Sequence, residues 1–183
     1  MISRSFSLLL LASALALQGC ATTLTKGSDR RTQGTYIDDS YIADTATSRI
    51  KNKHESKVHI NVNSYNRKVL VTGEVPDEAT KADITRIIGG VQNVTQIYNE
   101  LNIAPHTSLS SRSGDALTTS NIILRMQSSG SREFRADRIK VVTEAGVVYL
   151  LGLVTQAEAK IATDVSSTSS GVKKVVPYFE YVD

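Results

Sequence analysis

The chain has 183 residues, 40% hydrophobic and 21% charged, with a formal charge of +3. That length admits one large domain or two small ones, and so small a positive excess argues against nucleic acid while fitting mild attraction to an anionic membrane surface. Aromatics are 5% with no Trp, so any core must be built from Val, Ile and Leu, and the single Cys excludes an intramolecular disulfide.

Residues 1–19 carry Arg4 and then an apolar run of ten residues at 8–17. Such a run is too short to cross a bilayer and matches the h-region of a secretory signal. It ends in L-Q-G-C, and Cys20 is the only Cys in the chain. The tetrapeptide resembles the bacterial lipobox, in which a small residue precedes a Cys that is acylated before cleavage; the alternative is a plain signal peptide followed by an unrelated Cys. Ala21 follows rather than Asp, which by resemblance to bacterial lipoproteins points to the outer membrane. Two or more acyl chains hold a soluble body stably at a membrane where one does not. The expected mature chain starts at Cys20, is lipid-anchored to the cell outer membrane and faces the periplasm. Loss of Arg4 with the leader lowers its charge to +2.

Residues 20–37 lack periodicity and read as a lipidated tether. Asp38 and Asp39 are placed to cap a helix running to about Ile50, with Ile42, Ala43, Ala46 and Ile50 inside a sector of about 100°. Residues 58–63, V-H-I-N-V-N, alternate as a strand with one covered face does, which sends His59 and Asn61 to solvent. Residues 68–75 form the partner strand, stopped by Pro76; a helix at 77–88 follows, ended by Gly89-Gly90; residues 91–103, with Val94, Ile97, Tyr98 and Leu101, read as a third strand. The Ser-rich stretch 105–113 reads as a linker. The order then repeats. Asp115 is placed to cap a helix to about Gln127, a hairpin spans 141–154 with its turn at Glu144-Ala145-Gly146, a helix spans 156–167, and a last strand spans 175–182.

The repeat is a duplication. Setting Gly73 on Gly152, a shift of 79 residues, also matches Ile60 to Ile139, Val62 to Val141, Val69 to Val148 and Val75 to Val154. Gly90-Val91-x-x-Val94 recurs as Gly171-Val172-x-x-Val175 after a two-residue insertion. The chain thus divides into a leader (1–19), a tether (20–37), a first domain (38–104), a linker (105–113) and a second domain (114–183). The strand, Gly, helix, G-V-x-x-V, strand pattern, with structural glycines Gly73, Gly90, Gly152 and Gly171, resembles the BON domain of bacterial envelope proteins. Two copies behind a lipobox resemble the outer-membrane lipoproteins of that family associated with division and envelope stress. The implied fold is α+β, two tandem αββαβ units, each a three-stranded mixed sheet with two helices. The resemblance also implies binding of anionic phospholipid through the first helix of the second domain, recruitment to division sites, and no catalysis.

The residues of that helix bear on the same point. With Asp39 set on Asp115, Ala46 and Ile50 fall on Ile122 and Met126, which inherit the core positions. Leu117, Ile123 and Leu124 fall on Tyr41, Thr47 and Ser48. Leu117 and Leu124 lie within about 20° of each other and nearly opposite Met126, so the helix has a second apolar face. Leu117, Ile123, Leu124 and Arg125 are the candidate phospholipid-binding residues, with Arg132 and Arg135 as further phosphate partners. The alternative is that Leu117 and Leu124 fill an interface between the domains. His54, His59 and His106 are scattered with no carboxylate cluster beside them, no G-x-S-x-G elbow occurs, and no Gly-rich loop opens a helix. No catalytic residue, metal ligand or cofactor is expected. The reading is a lipid-anchored, periplasmic phospholipid-binding protein that supports envelope integrity, not an enzyme. The alternative is a periplasmic protein adaptor for envelope-assembly or peptidoglycan-associated machinery.

Overall fold

The computed structural model describes residues 29–104, 109–129 and 134–182, so the leader and Cys20 lie outside the described residues. Helix α1 (Gln33–His54), strands β1 (His59–Tyr65) and β2 (Lys68–Val75), helix α2 (Glu78–Gly89) and strand β3 (Gln96–Ile103) form the first unit. Helix α3 (Leu109–Gln127), strands β4 (Ile139–Glu144) and β5 (Val147–Val154), helix α4 (Gln156–Ser167) and strand β6 (Lys174–Tyr181) form the second. In each sheet the central strand pairs antiparallel with the strand before it and parallel with the one after the helix. The expected α+β fold of two mixed three-stranded sheets is the one observed. The hairpins share one register: Ile60 faces Gly73, and Ile139 faces Gly152.

Local chemistry sets most of the ends. Asp77 caps α2 by accepting from the Thr80 amide, and Thr155 with Glu158 forms a reciprocal capping box on α4. The first helices differ from expectation. Thr32, not Asp38 or Asp39, caps α1, which therefore begins inside the stretch read as tether. In the second unit α3 begins at Leu109, inside the stretch read as linker. Asp39 and Asp115 both lie in mid-helix, because each carboxylate is engaged by its hairpin turn instead: Asp39 accepts from the Asn66 and Arg67 amides, Asp115 from those of Ala145 and Gly146. All four turn residues have positive φ, the two-residue geometry suited to a right-twisted hairpin.

Side chains alternate across each strand, and both faces of the central strands are covered. Val69, Val71 and Val75 join Ile42, Ala46, Ile50, Ile84 and Ile88 in one helix-side core; Val148, Leu150 and Val154 join Ile122, Met126 and Ala162 in the other. The opposite faces meet each other. Tyr65, Leu70, Val142, Tyr149 and Leu151 form a third core between the sheets, flanked by Tyr98 and Tyr178, whose rings stack at 3.8 Å between centroids. Hydrogen bonds and ion pairs ring this interface: Lys68 to Glu180, Thr72 to Glu144, and both Tyr149 and Tyr178 to Glu100. The segment before α1 also crosses over, with Arg30 donating to Leu153 O and to Glu158. The two domains are therefore joined sheet to sheet. This corrects two expectations. His59 faces the second sheet rather than open solvent, with Nε2 3.6 Å from Glu144. The domain interface is made by strands, not by Leu117 and Leu124.

Candidate membrane-facing site

Helix α3 is held by one stripe. Ile122 and Met126 are fully buried against Phe134, Ile139, Val148 and Leu150, and Ile123 packs half-buried on the same core. The opposite stripe is open: Leu117 is 72% and Leu124 62% exposed. Leucines so placed are surrounded by Ser113, Gly114, Ala116, Ser120 and Asn121, all exposed and uncharged.

The charged residues of α3 turn away from this face. The Asp115 carboxylate is held by the β4–β5 turn, as above. Arg112 lines a cleft between the domains. Arg125 donates to the Val165 carbonyl at 2.9 Å, to Ser169 Oγ and to Thr168 Oγ1, so its guanidinium closes the C-terminal end of α4, where unpaired carbonyls and the helix dipole favour a cation. What remains outward is an uncharged face that carries two exposed leucines.

Of the four residues expected together, the structure therefore places Leu117 and Leu124 on the open face, Ile123 at its buried margin and Arg125 half-buried against the end of α4. Arg135 is exposed beside Asp137, and Arg132 lies outside the described residues. Among the glycines, Gly73 (φ +125°) and Gly152 sit where a Cβ would strike the carbonyls of His59 and Arg138, at 2.1 and 2.8 Å. Gly171 has φ +85°, and Gly90 ends α2 with φ −84° and room for a methyl group.

Sequence reasoning missed a second exposed set on α1: Tyr36, Ile37 and Tyr41 are all at least half exposed. The signal was present, since Tyr41 is the position that aligns with Leu117. They follow directly on the docked segment of Arg30 and Arg31, where Arg31 lies over both the Tyr65 and Tyr36 rings.

Two αββαβ units that share one hairpin register and are joined through their sheets define a tandem-repeat α+β module. Residues 38–105 and 114–183 each match the BON domain, and the chain belongs to the BON-domain family. Outer membrane lipoprotein DolP of Haemophilus influenzae is 36% identical over 185 aligned residues, which cover 96% of this chain and 95% of that one. The 21 kDa hemolysin of Actinobacillus pleuropneumoniae is 31% identical, covering 86% and 81%, and osmotically-inducible protein Y of Escherichia coli is 29% identical, covering 78% and 72%. The protein is an outer-membrane lipoprotein, held there by its lipid anchor. Among the described residues no helix is long and apolar enough to cross a membrane.

Proposed function

We propose that this lipoprotein binds phospholipid through the open face of α3 and in that way supports the integrity of the outer membrane, with a post at division sites as the family resemblance implies. The observation that carries the reading is the pairing of Leu117 and Leu124 on a helix whose described charges all turn inward. A leucine face of this kind binds; it has no group with which to transfer a proton or attack a bond, so the role is binding rather than catalysis. Anionic lipid is the favoured surface, because the chain is net positive and Arg135 is exposed beyond the end of α3. Arg125 then serves the site by fixing α3 on α4, not by touching a headgroup.

Co-sedimentation with vesicles tests this. Protein lacking the acyl anchor should pellet with anionic vesicles, less so at high salt, and Leu117→Glu should remain in the supernatant. Equal pelleting of that variant would place the lipid contact elsewhere.

A further inference from the structure

His59 and Glu74 are direct partners in the β1–β2 ladder, and both project from the sheet face that meets the second domain. Glu144, the last residue of β4, faces them from the other sheet. Its Oε1 lies 3.6 Å from His59 Nε2, and one ligand atom from each of the three residues lies within 4.8 Å of the other two. Glu74 is 2% exposed, and its Oε2 accepts no hydrogen bond. A buried carboxylate with an unpartnered oxygen, set beside a second buried carboxylate, is unfavourable, and a bound cation is one way to relieve it.

The surroundings fit such a cation. Thr72 Oγ1 donates to Glu144 Oε2 at 3.0 Å, which orients the other oxygen towards His59, as an outer-sphere partner of a metal ligand does. A cleft of about 530 Å³ lined by His59, Glu144, Arg112 and Thr119 gives an ion and its water a way in.

We infer that His59, Glu74 and Glu144 form a zinc site that bridges the two domains. One imidazole with two carboxylates suits Zn²⁺, whereas Ca²⁺ and Mg²⁺ prefer oxygen ligands alone. Bonds of about 2.0–2.2 Å set tetrahedral ligand atoms roughly 3.3–3.5 Å apart, so the His59–Glu144 pair needs only slight contraction. The fourth position is left to water from the cleft. Since the ligands come from both sheets, the ion ties metal binding to domain docking.

The test is Zn²⁺ titrated into chelator-stripped protein, read by calorimetry and by thermal melting. One ion per chain should bind and raise the melting temperature. Both Glu74→Gln and His59→Gln should lose at least about tenfold in affinity, His54→Gln, replacing a histidine that sits beside Asp83, should lose nothing, and Ca²⁺ or Mg²⁺ should not stabilise. His59 is partly exposed, so its variant keeps the test sound should Glu74→Gln fold poorly. Absence of a zinc effect on the parent protein would overturn the site. Undiminished affinity in both variants, or equal stabilisation by Ca²⁺, would overturn it as well.

Discussion

Asp39 and Asp115 occupy the same place in the two domains: each lies in mid-helix and takes the two backbone amides of its domain's hairpin turn, at 2.7–2.9 Å. The bond ties the first helix to the β-hairpin at a point where two positive-φ residues make the turn costly without support. Asp39 does more, accepting from Arg31 and from Ser64 Oγ. Hydrogen bonds to a charged group contribute about 1.5–3 kcal/mol, and removing one partner of a buried ion pair costs roughly 3–5 kcal/mol. Asp115→Ala should therefore destabilise the protein by about 2–3 kcal/mol and Asp39→Ala by about 3–5 kcal/mol, measured as shifts in denaturant midpoint. Equal losses would mean that the Arg31 and Ser64 contacts add nothing.

The four patterned glycines should separate by substitution with Ala. Gly73 combines φ +125° with a Cβ position 2.1 Å from the His59 carbonyl, so Gly73→Ala has to displace a backbone strand. A loss of roughly 3 kcal/mol or more is expected. Gly90 has an ordinary φ and only van der Waals neighbours at 3.6 Å, and Gly90→Ala should change stability by less than about 1 kcal/mol, with a slight gain favoured by the lower entropy of the unfolded chain. Thermal melts of the two variants decide it.

The duplication is legible in the sequence because hairpin residues recur at one spacing, and the hairpin alternation gives the sheets. The role of the two aspartates is not, since an Asp before an apolar stripe has the local signature of an N-cap and only the folded turn reveals the other use. His59 is misplaced for a related reason. The alternation of β1 says which face is apolar, not whether a second domain covers the polar one. The available hint is β5, where Val148, Tyr149, Leu150 and Leu151 run apolar on both faces, as a strand buried on both sides does. Leu117 and Leu124 follow from helical geometry alone, whereas the engagement of Arg125 rests on residues 40 and more positions away.

Sheet-to-sheet docking should make the two domains melt as one. Tyr178 stacks on Tyr98, lies parallel to Tyr149 and donates to Glu100. Tyr178 is half-buried, so its truncation should cost less than the roughly 3–5 kcal/mol of a fully buried aromatic. Tyr178→Ala should split a single calorimetric transition into two, and a variant that still melts in one step would show that the interface is held elsewhere.

Stability should fall in acid partly through Glu158. Burial alone would raise this carboxyl, but the Arg30 guanidinium, the Thr155 amide and Arg138 outweigh it and hold the group below the ordinary value of 4.5. A depressed folded value means that the unfolded chain takes up the proton first, so the contribution is complete above about pH 4.5 and is lost as pH falls through the folded value. Glu158→Gln should flatten the decline of the denaturant midpoint between roughly pH 5 and 3, and an unchanged slope would remove Glu158 from the account.

Arg125 and Leu117 sit on one helix but should fail in opposite ways. Burying a leucine side chain in an apolar phase is worth about 1.5–3 kcal/mol, and the open face of α3 offers two. Replacing both in Leu117→Glu/Leu124→Glu should cut vesicle affinity by roughly a hundredfold or more. The melting temperature should barely move, because both side chains are more than half exposed. Arg125→Ala removes the donor from Val165, Thr168 and Ser169 at the end of α4. It should lower the melting temperature while the protein that stays folded binds vesicles as before. If Arg125→Ala instead abolishes binding with its stability intact, the guanidinium leaves α4 to meet a phosphate, and the headgroup is read from inside the helix pair rather than at the leucine surface.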